Sequence, residues 1–117
     1  MKGLNKVTLI GHLGKDPEIR TLENGTEVAS FTLATSESYR DKEGSLQTET
    51  EWHNLVAWRN LAEFAQKYLF KGSHVYAEGK LKTRSYEDKS GVKKYVTEII
   101  VENFILLDKK VDKESIE

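Results

Sequence analysis

Apolar and β-branched residues dominate positions 6–13, broken by Gly11 and closed by Gly14, and this predicts a first strand. Asp16-Pro17 ends that run, and Asn24-Gly25 marks a tight turn. Positions 27–37 alternate, with Ala29, Phe31 and Leu33 on one face and Ser30, Thr32 and Ser36 on the other. Positions 39–44 read as a polar hairpin loop and 49–58 as a third strand. The period then changes. Leu61, Phe64, Ala65, Tyr68 and Leu69 recur at the spacing of an amphipathic helix. Asn60, with Glu63 three residues on, fits an N-cap, and Gly72 fits a C′ residue. In the fourth strand Val75, Ala77 and Leu81 alternate with Tyr76, Glu78 and Lys80. A turn at Asp88-Lys-Ser-Gly91 leads into a fifth strand over 94–106.

Three strands, one helix and two strands define an all-β chain with one helix. That is the element order of the OB-fold, a five-stranded Greek-key barrel with its helix between strands 3 and 4. In such barrels ligands lie across strands 2 and 3 and against the loops 1–2 and 4–5. The chain reads as one domain over 1–107, followed by a short polar tail over 108–117 that is expected to be disordered.

Composition changes this picture little. With no Cys there is neither a disulfide framework nor a thiolate nucleophile, which fits a reducing cytoplasm. The apolar run after the N-terminus is too short for a signal peptide or a membrane span, so no membrane partner is expected. A nucleic-acid binder is expected to be basic, yet the formal net charge is −1. Setting aside 108–117 leaves 15 basic and 15 acidic residues in the body. Any binding of a polyanion must therefore rest on where the charges lie.

Aromatic placement is more informative. Trp52 and Trp58 are six residues apart in the third strand, so a period of two puts both on one face. Tyr39 sits at the base of one long hairpin and Tyr86 on the arm of the other. Cations accompany them: Arg40 and Lys42, Arg59, Lys82 and Arg84, and Lys93 and Lys94. Rings on which bases stack, interleaved with cations that track phosphates, are what a single strand requires. A lone Trp in a strand is more often core, whereas Tyr39 and Tyr86 lie in polar hairpins that offer no core. Catalysis finds little support. His12, His53 and His74 lack metal-ligand spacing, Glu49 and Glu51 read as a solvated strand face, and no Gly-rich phosphate loop precedes the helix. No catalytic residue, metal or cofactor is expected. Two other binding classes stay open, an OB module whose main partner is a protein and an oligosaccharide-binding OB domain.

The stretches Asn5-Lys-Val-Thr-Leu-Ile-Gly-His-Leu-Gly-Lys-Asp-Pro-Glu18, Thr32-Leu-Ala-Thr-Ser-Glu-Ser38, Thr50-Glu-Trp-His53, Tyr68-Leu-Phe-Lys-Gly-Ser73 and Val75-Tyr-Ala-Glu-Gly79 strongly resemble the bacterial single-stranded DNA-binding protein family, in order and almost without gaps. The resemblance implies binding and protection of single-stranded DNA in replication, recombination and repair, in the cytoplasm at the nucleoid, by a homotetramer. Carried over by position, the base-stacking rings fall on Tyr39, Trp52, Trp58 and Tyr86. Tyr39 and Tyr86 stand where Trp is familiar. The backbone contacts fall on Lys2, Lys6, Lys42, Lys71, Lys82, Arg84 and Lys94, with Asn60 replacing a familiar Lys. His53 matches a position at the subunit interface. Family members usually continue through a Gly-, Pro- or Gln-rich linker to an acidic tip ending in Pro-Phe, whereas this sequence ends Lys113-Glu-Ser-Ile-Glu117. Tip-dependent protein partners are accordingly not expected for it.

Overall fold

Alternation along the first strand leaves Leu13 facing inward, and the same rule on the later strands builds a closed interior. A computed structural model describes residues 2–108. The elements are β1 (Val7–Leu13), β2 (Glu18–Thr21), β3 (Glu27–Arg40), β4 (Leu46–Trp58), α1 (Asn60–Tyr68), β5 (His74–Glu87) and β6 (Lys93–Leu106). Five strands run in the order β1-β5-β6-β4-β3, and β1 closes the ring on β3 through His12↔Ala34 and Leu13↔Leu33. All these pairings are antiparallel except β4–β6, which are parallel at Leu55↔Ile99 and Val56↔Ile100. Closure leaves few sheet edges to protect in a small protein. The helix follows β4, between the third and fourth strands of the barrel.

The core is the inward face of these strands. Ala29, Phe31 and Leu33 of β3 meet Leu55 and Ala57 of β4, Val75 and Ala77 of β5, and Ile99 and Val101 of β6. From α1 the fully buried residues are Ala62 and Ala65, with Leu69 just beyond its end, while Leu61, Phe64 and Tyr68 are half-buried at the margin. Small residues on the covered stripe let the helix backbone lie close over the end of the barrel. Phe104 bridges the two layers, 5.7 Å from Phe31 and 6.0 Å from Phe64, centroid to centroid.

Four sequence expectations are corrected. A short strand, β2, was not foreseen; it pairs Glu18–Thr21 with Glu27–Ser30 on the outer edge of β3. The loop expected at 39–44 shrinks to a turn, because Tyr39 and Arg40 pair with Gln47 and Leu46. Side-chain pairs such as Ser36–Thr50, at 3.0 Å, sustain the extended hairpin although it is polar on both faces. Asn60 is not the N-cap of α1. Arg59 is, at φ 57° and ψ −119°, with no side-chain cap. Its N–H still donates to Glu27 at 2.9 Å, so the β3–β4 ladder runs on into the helix start. Gly72 is not the C′ residue either, since the helix ends at Leu69 in extended conformation. Gly72, at φ 88°, instead makes the turn closed by Ser73 N–H to Phe70 C=O, a conformation suited to glycine.

Candidate nucleic-acid interface

The outer face of β3 and β4 is set by an unbroken register, Val28↔Trp58 through Ala34↔Trp52 and beyond. Trp52 and Trp58 therefore point to the same side, 59 % and 38 % exposed, which excludes a core role for either ring. Beside Trp58 on the same face lie Val28, its partner across the β3–β4 pair, and Val56, both buried. Across the hollow from them β5 presents Lys80, Lys82 and Arg84 at alternate positions, and β6 presents Glu98 and Ile100. Arg20 of β2 completes the rim of a hollow of about 470 Å³. A second hollow, lined by Lys15, Asp16, Thr32 and Asn54 among others, shares Ser30, Arg84 and Glu98 with the first. Together they form one groove with an apolar floor, with cations concentrated around the first hollow and Asp16 and Glu18 beside Lys15 at the second.

Trp52 lies beside this groove against Gly14 and Thr32. Tyr86, 47 % exposed, lies further along β5 on the side that carries Lys82 and Arg84, paired with Lys94. Lys94 stands 4.0 Å from Asp88 in the turn below. Arg84 is held by Glu98, with Nε donating to Oε1 at 2.9 Å and Nη2 to Oε2 at 3.3 Å. The hydrogen bonds and charge of Glu98 raise the Arg84 pKa above its usual value.

Other expected residues lie elsewhere. Tyr39 has the strand parity of Glu37, not of Trp52, and its hydroxyl donates to Glu49 at 3.3 Å on the reverse side of the hairpin. His53 is on that side too, with Nε2 2.9 Å from Thr35 Oγ1, in a hollow shared with Leu9, Glu37, Glu49 and Glu51. Lys6 pairs with Glu78 at 3.6 Å on the β1–β5 sheet. Lys2 is exposed before β1. Lys71 is exposed in the turn after α1, where its backbone N–H donates to Asp16 at 2.8 Å. Lys42 is in the 41–45 turn, which Asp41 organises. The Ser45 N–H, with help from that of Glu43, holds the Asp41 carboxyl below its usual range. Asn60 opens α1 outside the hollow.

Two cations of the rim escaped the sequence reading. Arg20 rides on the unforeseen β2. Lys80 was legible, since Lys80, Lys82, Arg84 and Tyr86 recur at a period of two. Among the described residues no cluster of three or more His, Cys, Asp or Glu could hold a metal ion. Nor is any helix among them long and apolar enough to cross a membrane.

Fold and site together define a small closed β-barrel with one helix and an open groove of exposed indoles and cations. The chain belongs to the single-strand binding protein family, whose model matches residues 4–107. It is 54 % identical over 110 residues to the single-stranded DNA-binding protein 1 of Chlorobaculum tepidum, covering 93 % of this chain and 68 % of that one. Its fold matches a solved Plasmodium falciparum SSB in complex with ssDNA at a TM-score of 0.83 and 40 % identity. That match covers 92 % of this chain and 98 % of the other.

Proposed function

We propose that this chain binds single-stranded DNA without sequence preference through an OB-fold barrel formed by residues 1–107. Bases stack on Trp52, Trp58 and Tyr86, and on Tyr39 where the strand passes round the hairpin. Lys80, Lys82 and Arg20 take the phosphates in the groove, while Lys2, Lys6, Lys42, Lys71 and Lys94 guide the strand outside it. In the cell such binding protects single strands during replication, recombination and repair. The binding form is a homotetramer, with His53 near the subunit contact. Nothing in this role requires catalysis or a cofactor.

The observation that carries the reading is the pairing of two exposed indoles on one strand face with a rim of cations opposite. A ring with an open face can take a base, and stacking is indifferent to sequence because every base has a π-face. Titrating intrinsic Trp fluorescence with oligo-dT tests it. Binding should quench the emission, and Trp52→Ala or Trp58→Ala should each weaken binding by about 1–3 kcal/mol without melting the domain. Unchanged affinity in both variants would refute the reading. Affinity that ignores salt would point to a sugar instead, since only phosphate contacts release counterions.

A further inference from the structure

Glu98 is the acidic residue in the wall of the hollow that holds Trp58, and the other charged groups there are Arg20, Lys80, Lys82 and Arg84. A carboxylate at the centre of a groove for a polyanion works against binding unless it does something else. Its side chain is only 14 % exposed, while that of its partner Arg84 is 56 % exposed. Its backbone is fixed by pairing with β5, and its carboxylate is held by two hydrogen bonds from Arg84. It also faces Lys82 directly across the β5–β6 pair.

We infer that Glu98 is a built-in counter-ion for Arg84, withdrawing that arginine from phosphate binding and fixing its guanidinium as a flat plate for bases. This rests on the single-strand-binding reading and narrows the role expected of Arg84. The two hydrogen bonds to Glu98 use the Nε proton and one Nη2 proton. Three N–H donors and both planar faces remain, enough to meet a base edge or to stack on a ring. The phosphates of a single strand carry condensed solution cations, which are released when a protein cation with no partner of its own neutralises them. Arg84 already carries its anion in the protein, so a phosphate finds no unpaired charge there. Lys80, Lys82 and Arg20 have no ion pair of this kind among the described residues, so phosphate neutralisation in the groove falls to them. Glu98 is thus a positioning residue that also limits how tightly the groove holds a strand.

The salt dependence of binding separates this role from a merely structural one. Each phosphate neutralised on a single strand adds about 0.7 to the slope of log K against log salt. Oligo-dT affinity is measured over a salt series for the full chain and for Lys82→Ala, Arg84→Ala, Glu98→Gln and Glu98→Asp, with thermal melting of each. Lys82→Ala should lower the slope by about 0.7. The double variant Arg84→Ala/Glu98→Gln removes the pair together and should weaken binding while leaving the slope almost unchanged. Glu98→Gln frees Arg84, so the slope should rise by about 0.7 and affinity near 0.1 M salt by about fivefold. Glu98→Asp keeps the charge and should keep the slope, which guards against a folding defect in the Gln variant. Arg84→Ala alone leaves the Glu98 carboxylate facing Lys82, so its slope should fall, and adding Glu98→Gln should restore the slope of the full chain. A slope loss in the double variant equal to that in Lys82→Ala, or an unchanged or weaker Glu98→Gln, would overturn the counter-ion role alone. If no variant, Lys82→Ala included, moves the slope, the single-strand reading falls with it.

Discussion

The indole of Trp52 rests on a position with no side chain. Gly14 is not among the glycines with positive φ, so its backbone would suit other residues. What demands glycine there is the ring. A Cβ at Gly14 would collide with Trp52 Cζ3 and lie 3.0 Å from its Cη2, with Thr32 Oγ1 at 3.1 Å. The six-membered ring of the indole is therefore set against the Gly14 backbone, which fixes where the ring stands. Gly14→Ala should tilt or lift the ring while the domain stays folded, because the displaced atoms are the far end of a side chain. The expected loss approaches that of the stack itself, about 1–3 kcal/mol. With only two Trp in the chain, a Trp58→Phe background isolates Trp52, and oligo-dT should quench it less once Gly14 is Ala. Undiminished quenching and affinity would show that Gly14 has no such role. The shared face of Trp52 and Trp58 was legible from spacing alone, whereas the seat under Trp52 was not, since Gly14 and Trp52 meet only in three dimensions. The side taken by Tyr39 was equally hidden. It follows from the pairing Tyr39↔Gln47, which depends on the length of the turn at 41–45, and a slip of one residue would reverse every face.

At the scale of elements, the junction of β4 and α1 is the strained place. Arg59 at φ 57° and ψ −119° occupies backbone space that glycine takes freely and a residue with a Cβ does not. Such strain costs on the order of 1–3 kcal/mol, while the extra unfolded-state freedom of glycine costs about 0.4–1 kcal/mol. Arg59→Gly should therefore stabilise the domain by about 1 kcal/mol, a rise of roughly 4 °C in Tm. Calorimetry checks it, and a lower Tm would mean that contacts of the Arg59 side chain outweigh the strain. The helix itself was plain in the sequence, because its apolar stripe repeats over nine residues, Leu61 to Leu69. Its ends were not. Asn60 has the chemistry of a cap, but Arg59 N–H bonds to Glu27 across the sheet, and that ladder fixes where the chain leaves β4. Nor could β2 be read, since four residues with the single apolar Ile19 become a strand only by pairing with β3.

Over the whole molecule, the formal net charge of −1 conceals a separation of charge that composition averages away. With Arg84 neutralised by Glu98, the cations Arg20, Lys80 and Lys82 rim the hollow beside Trp58, whereas Glu37, Glu49 and Glu51 gather on the reverse side of β3–β4 beside His53 and Leu9. A second feature is the outer side of β1. Along Val7–Ile10 one edge pairs with β5, while ladder pairing with β3 begins only at His12, so the other edge of that stretch has no strand partner among the described residues. Ile10, Tyr76 and Ile105 lie in register across β1, β5 and β6, and Ile10 and Ile105 are 55 % and 51 % exposed. An open edge beside an apolar sheet face invites another chain, and in the proposed assembly that chain is a second copy. His53→Glu would be an ambiguous test, because it breaks the bond to Thr35 and adds a carboxylate beside three others. Ile10→Glu is cleaner, since an exposed side chain can be replaced without disturbing the barrel core. It should reduce the oligomer to smaller species in light scattering at micromolar concentration, with the Tm of the domain little changed. Affinity for long oligo-dT should fall with it, because one OB-fold groove spans only about 4–16 nucleotides and the rest of the strand needs further copies to wrap. Affinity for a strand short enough for one groove should stay the same. A monomeric parent chain at that concentration would remove the assembly, and an Ile10→Glu variant of unchanged size would place the contact elsewhere on the surface.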